Sequence, residues 1–103
     1  MEKNTPHYNL AVIKEDVRRR GKNAFTMTAR RNGRDLGFTL EEMQDVIFEL
    51  HSRMLYKSMT TYSNHRVWQD VYHITSHDQE IYIKVTYCSG SEPPVISFKE
   101  KNP

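Results

Sequence analysis

The stretch from Tyr56 to Tyr72, YKSMTTYSNHRVWQDVY, gathers tyrosine, threonine, lysine, histidine, tryptophan and glutamine, with no glycine or proline to loosen it. A core segment of this length would carry more Leu, Ile and Val, so its side chains serve a polar sheet face or a site. Tyr82 and Lys84 repeat the pairing of tyrosine with lysine, and Lys99 adds a further cation. Lysine, tyrosine and glutamine on a sheet face suffice for one reaction, the cleavage of RNA. No external nucleophile is needed, because the 2′-hydroxyl attacks the neighbouring phosphate. The protein has to help remove that proton, stabilise a dianionic phosphorane and protonate the leaving 5′ oxygen. Preorganised cations and hydroxyls do this without a metal. The same residues also make an ordinary solvated sheet surface, so patterning alone leaves both readings open.

Other chemistries find less support. Of the five histidines, His7, His51, His65, His73 and His77, only His73 and His77 have a spacing that would suit a metal on a helix. The local pattern there is a strand running into a loop. His65 near Asp70 has no third ligand in view. The imidazoles read as surface groups, any of which could shuttle a proton beside a phosphate. No serine stands in a nucleophile elbow, and Cys88 has no helix N-terminus to lower its pKa. The glycines form neither a phosphate loop nor a dinucleotide fingerprint. The residues call for no cofactor and no metal.

A chain of 103 residues fits one domain, 1–103, with one modest core. The mean hydropathy of −0.78 would suit disorder, but 37% apolar residues with one Trp, six Tyr and four Phe argue for a packed globule. The single cysteine, Cys88, excludes an intramolecular disulfide and suits a reducing cytoplasm. Neither a signal peptide nor a membrane span is expected. Charge is uneven: residues 1–34 hold nine Lys or Arg against three acids, and residues 35–56 one against five. A basic third could be the footprint of a polyanion site, although a solvated helix face explains Arg18, Arg19 and Arg20 equally well.

Two helices should carry these side chains. Thr5 followed by Pro6 reads as an N-cap, Leu10, Ile13 and Val17 recur at helical spacing, and Gly21 stands where a glycine ends a helix. Helix one is placed at Pro6 to Arg20. Asn23 to Thr28 fits a short strand, and Arg30 to Arg34 a turn or single helical turn. Thr39 with Glu42 forms a capping box ahead of Leu40, Met43, Ile47, Leu50 and Met54, which places helix two at Leu40 to Arg53, its methionines filling the core. The period then changes to two. Strands are expected at Val67 to Ile74, Ile81 to Cys88 and Val95 to Phe98, with a further one at Lys57 to Thr61. Loops at Thr75 to Gln79 and Ser89 to Pro94 are hairpin-sized, so neighbours should be antiparallel. The fold class is α+β, with two main helices on one face of a mostly antiparallel sheet. Ile81, Ile83, Val85 and Tyr87 should face the helices. Tyr82, Lys84 and Thr86 should stand on an open face that Lys99 and the Tyr56 to Tyr72 stretch could share.

The opening MEKNTPH, the segment YKSMTTYSNHRVWQDVY, the strand start IYIKVT and the ending VISFKEK closely resemble the MqsR toxins, the motility quorum-sensing regulator family of toxin–antitoxin systems. The likeness runs over nearly the whole chain, with divergence between Arg18 and Arg34 and in the loops at His77 and Ser91. It implies a RelE-like microbial ribonuclease fold and an mRNA interferase that cuts single-stranded message at GC-containing sites, chiefly GCU, and halts translation. The family's active-site lysine in YKSMTTY falls on Lys57, its glutamine on Gln69, its tyrosine on Tyr82 and its lysine in SFKEK on Lys99. The resemblance also implies an MqsA-type antitoxin, a zinc-containing dimeric DNA-binding protein, so any zinc belongs to that partner. The free toxin is expected to be a monomer.

Lys57 and Lys99, if close, would repel and lower one pKa, making one a base and leaving the other to bind the phosphorane. Tyr82 could donate a proton or position the phosphate, and Gln69 could hold phosphate or a base edge. Tyr62 and Trp68 could stack on unpaired bases, with His65 and Lys84 as further RNA contacts. The rival reading is a non-catalytic RNA- or ribosome-binding regulatory module.

Overall fold

The computed structural model describes residues 1–87 and 94–101. The period-two runs form a five-stranded antiparallel sheet of β1 (Glu2–Lys3), β2 (Leu55–Thr60), β3 (Trp68–Ser76), β4 (Gln79–Thr86) and β5 (Val95–Glu100), whose order in space is that of the chain. Four of these are the expected strands with shifted ends. β1 goes unforeseen because two residues show no period. Ser76 pairs with Gln79, which reduces the β3–β4 loop to His77 and Asp78, both at positive φ. A two-residue turn of that hand matches the twist of antiparallel strands. Cys88 and residues 89–93 of the expected Ser89 to Pro94 loop lie outside the described residues.

Three helices, α1 (Leu10–Arg20), α2 (Met27–Asp35) and α3 (Leu40–Phe48), cover one sheet face, where the sequence pattern shows two. Tyr72, Ile74, Ile81, Ile83, Val85, Ile96 and Phe98 of the sheet are buried against Ile13, Val17, Met43, Val46, Ile47 and Leu50. Each such side chain contributes about 1.5–3 kcal/mol relative to exposure, so this one layer holds most of the fold's stabilisation. Tyr87 is half-buried at its margin, its hydroxyl donating to Asp16 Oδ2 at 2.7 Å. No helix among the described residues is long and apolar enough to cross a membrane.

The helix starts depart from expectation for tertiary reasons. α1 begins at Leu10 rather than Pro6, capped by Asn9, whose Oδ1 accepts from Ala11 N at 2.8 Å and Val12 N at 3.2 Å. The Thr5–Pro6 signal loses because the backbone N–H groups of His7 and Tyr8 donate to the buried Asp70 carboxylate instead. Gly21 ends α1 at φ 58° as expected. The expected strand Asn23 to Thr28 is a 3-10 turn (Gly21–Ala24) leading into α2, with Thr26 as N-cap and Phe25 making a single parallel bridge to Ile96. Arg30 to Arg34, expected as a turn or a single helical turn, belongs to the nine-residue helix α2. α2 buries only Ala29 and Gly33, residues too small to mark a helical face in sequence. It also covers the β5 edge, where Asn32 Nδ2 donates to Phe98 O at 3.2 Å. The Thr39–Glu42 capping box forms. α3 nevertheless stops at Phe48, since His51 is extended and the chain must turn through a second 3-10 turn (Ser52–Met54) into β2.

Gly33 sits mid-helix because α2 and α3 approach closely there. A Cβ on it would fall 2.3 Å from the Sδ of buried Met43. Gly33→Ala should therefore lose stability to overpacking, about 1–3 kcal/mol, against the roughly 1 kcal/mol that alanine gains in helix propensity. In a Met43→Val background the same change should become stabilising, and denaturant midpoints of the four proteins test that sign reversal.

Candidate active site

Alternation places a second set of side chains on the sheet face away from the helices. Cross-strand register sets Lys57, Val71, Lys84 and Ser97 in one row, and His73, Tyr82 and Lys99 in the next. An irregularity in the β2–β3 register between Leu55 and Lys57 accompanies a stack of Tyr56 on His73, ring centroids 4.5 Å apart. His73 lies 5.8 Å from the Tyr82 ring, and Lys99 Nζ stands 4.8 Å from that ring's centre. On one flank, a cleft of about 140 Å³ is lined by Thr26, Thr28 and Asn32 of α2 with Tyr82, Lys84 and Lys99 of the sheet. On the other, a hollow of about 270 Å³ is lined by Glu2, Asn4, Tyr56 and Lys57. Three cations, a phenol and an imidazole thus share one surface next to open space.

The electrostatics correct one expectation. Lys57 Nζ bonds Glu2 Oε1 at 2.8 Å, and this hydrogen bond, opposed by partial desolvation and reinforced by the charge of Glu2, raises its pKa. Mutual repulsion with Lys99 does not turn Lys57 into a ready base; it stays an ammonium. Glu2 reaches it through β1, where Glu2 pairs with Met59. Burial raises the pKa of Tyr82, against a smaller opposing effect of Lys57, and so keeps the phenol protonated. Burial, aided by Lys101 and opposed by Glu80, lowers the pKa of His73 below 6.5, which leaves the imidazole neutral at pH 7.

The other candidates read from the sequence divide. Lys84 lies in the row of Lys57, and Gln69, paired with Met59 and Thr86, lies in the row on the other side of Lys57, about 13 Å along β3 from His73. Trp68 has the opposite orientation. His7 stacks on its ring at 5.1 Å and Lys3 Nζ sits 4.3 Å from its centre, so this ring belongs to the side of the sheet away from Lys57. Tyr62 and His65 are exposed in the β2–β3 loop. Thr86 faces outward as expected yet is buried. Among the described residues no three His, Cys, Asp or Glu side chains gather as a metal site would need.

Beneath the face lies Asp70. Its carboxylate accepts from Ser58 Oγ at 2.6 Å, from His7 N at 2.9 Å and from Tyr8 N at 2.8 Å. It joins β2, β3 and the N-terminal segment that carries Glu2.

A family model described as the motility quorum-sensing regulator, toxin of MqsA, matches residues 5–100. The chain belongs to this MqsR toxin family. It is similar to the mRNA interferase toxin MqsR of Escherichia coli (strain K12), with 41% identity over 101 residues, 98% of this chain and 100% of that relative. Of the four positions that the MqsR resemblance singles out, all lie on this face: Lys57 in a central row, Tyr82 and Lys99 in the row on one side of it and Gln69 in the row on the other. His73 is the member that sequence reasoning passes over. Its signal is present, since it continues the outward series of Gln69 and Val71, but its spacing from His77 draws attention to metal binding instead.

Proposed function

We propose that this MqsR-family chain is the endoribonuclease of a type II toxin–antitoxin system, with the RelE-like microbial ribonuclease fold. It acts in the cytoplasm on single-stranded mRNA at GC-containing sites such as GCU, and so inhibits translation and growth. Cleavage runs by attack of the 2′-hydroxyl, without a metal. An MqsA-type antitoxin, zinc-containing and DNA-binding, neutralises the toxin, which is monomeric when free. The observation that carries this reading is the convergence of Lys57, His73, Tyr82 and Lys99 on one open face.

The roles follow from the protonation states. Neutral His73 takes the proton of the 2′-hydroxyl as its oxygen attacks phosphorus. The Lys57 and Lys99 ammonium groups neutralise the phosphorane dianion, where preorganised charge contributes most. The Tyr82 phenol, held protonated by burial, donates to the leaving 5′ oxygen. The products are a 2′,3′-cyclic phosphate and a 5′-hydroxyl. Gln69 holds a base or phosphate further along the strand. Tyr62, His65 and Lys84 are available to the flanking RNA, whereas Trp68 is reachable only if His7 and Lys3 move aside.

A synthetic RNA with one GCU, incubated with the purified chain in EDTA, should yield those ends. Intact RNA from folded protein, both free and on translating ribosomes, would favour the non-catalytic RNA- or ribosome-binding module. The pH profile tests the base. A general base must be neutral, so the rate should fall as pH drops through the lowered pKa of His73. His73→Gln should flatten that acid limb and lower the plateau by about 10²-fold. An unchanged acid limb would exclude His73 as the base.

A further inference from the structure

A large concavity lies outside the candidate active face. It is a groove of about 490 Å³ between α2 and the start of α3, lined by Met27, Arg30, Arg31, Arg34, Phe38 and Leu40. Three of its six lining residues are arginines and none is acidic. Arg31 and Arg34 are exposed, and Arg30 is partly tied down by Nε donation to Phe25 O at 3.4 Å. Met27 at the rim is 76% exposed and Leu40 37%, while Phe38, 4% exposed, lies beneath with His77 stacked on its ring at 4.4 Å. Guanidinium groups beside an apolar rim suit a ligand that is anionic along one edge and flat and apolar on its faces. A nucleotide of a single strand has that character.

The groove and the cleft lie on the two sides of α2. Thr26, Thr28 and Asn32 line the cleft beside Lys99, whereas Met27, Arg31 and Arg34 of the same helix line the groove. A strand crossing α2 spans roughly the 10–12 Å diameter of a helix. The route runs over the N-terminal turn, where Thr28 and Met27 are adjacent and the helix dipole favours phosphate. Near the C-terminal end, the neighbouring hollow sets two carboxylates, Asp35 and Glu100, against the single cation Lys99, and is less favourable to a phosphate backbone.

We infer that this arginine groove is a second RNA subsite, which holds nucleotides flanking the cleaved sequence after the strand has crossed α2. The inference rests on the cleavage reading of the open face and adds to it an affinity for longer RNA beyond the contacts of Gln69 and Lys84 on that face.

The test uses RNA oligonucleotides with 2′-deoxy sugars within one GCU, so that they bind uncut, extended stepwise on the 5′ or the 3′ side. Extension on one side should tighten binding by the wild-type chain about tenfold and steepen its salt dependence. Arg31→Ala/Arg34→Ala should abolish that gain and reduce the salt slope by about 1.4, two phosphate contacts at about 0.7 each. It should leave binding of the shortest oligonucleotide, cleavage of its all-ribose form and the melting temperature unchanged. Affinity independent of length, or a double variant that keeps the full gain, would overturn the subsite. So would a double variant that binds long RNA normally but no longer binds the antitoxin, because the groove would then be a protein surface. If the wild-type chain fails to cut the all-ribose RNA, the cleavage reading fails, and the length dependence still reports on the groove.

Discussion

Lys57→Ala and Lys99→Ala are each expected to lower cleavage of a GCU-containing RNA by about 10²–10³-fold, the usual cost of removing one preorganised transition-state donor. Neither should shift the melting temperature by more than about 4 °C, since both side chains are on an open face and surface changes stay near 0.5 kcal/mol. Lys57 is half-exposed and Lys99 exposed. The two losses should differ in origin. Lys99 has no salt bridge among the described residues and lies over Tyr82, so its removal strips charge from the phosphorane directly. Lys57 is held by Glu2 at 2.8 Å, and an incoming phosphate has to compete with that carboxylate. Glu2→Gln should therefore tighten RNA binding while Lys57→Ala weakens it, and a cleavage assay with a binding titration on each variant checks both signs. Wild-type rates in both lysine variants would remove the open sheet face from the mechanism.

Asp70→Ala should produce the largest loss of stability of any single change near the site. Asp70 is fully buried and accepts from Ser58 Oγ, His7 N and Tyr8 N. Truncation leaves these donors facing a dry cavity, at about 1–3 kcal/mol for each buried group that finds no water. A total of about 3–5 kcal/mol corresponds to a fall in melting temperature of roughly 12–25 °C for a domain of this size. Ser58→Ala, which removes one donor and leaves the carboxylate its two backbone partners, should cost about 1 kcal/mol. Thermal denaturation of the three proteins tests this order. An Asp70→Ala protein that melts within a few degrees of wild type would show that water replaces the carboxylate and that the N-terminal segment is not anchored there. Anchoring matters for function because the same segment carries Glu2 to Lys57.

The class of fold and the face of the candidate site were legible in the residue pattern. Period-two alternation is a property of the backbone, so Ile81, Ile83 and Val85 had to point opposite to Tyr82 and Lys84 wherever the strand lay. The Thr39–Glu42 capping box is likewise local, and it formed as read. Four of the five strands followed from β-branched and aromatic runs. The family motifs alone mark Lys57, Gln69, Tyr82 and Lys99.

Features that depended on a distant partner left no such mark in the residue pattern. α1 starts late because a carboxylate more than sixty residues away takes the N–H groups of His7 and Tyr8. α2 exists because two small residues let it pack against Met43 and the edge of β5, and small residues leave no hydrophobic pattern to read. The pKa shifts at the site arise in the same way. Glu2 raises that of Lys57 and burial lowers that of His73, since a pKa answers to the charges and solvent around a group in space, and neighbours along the chain do not specify them.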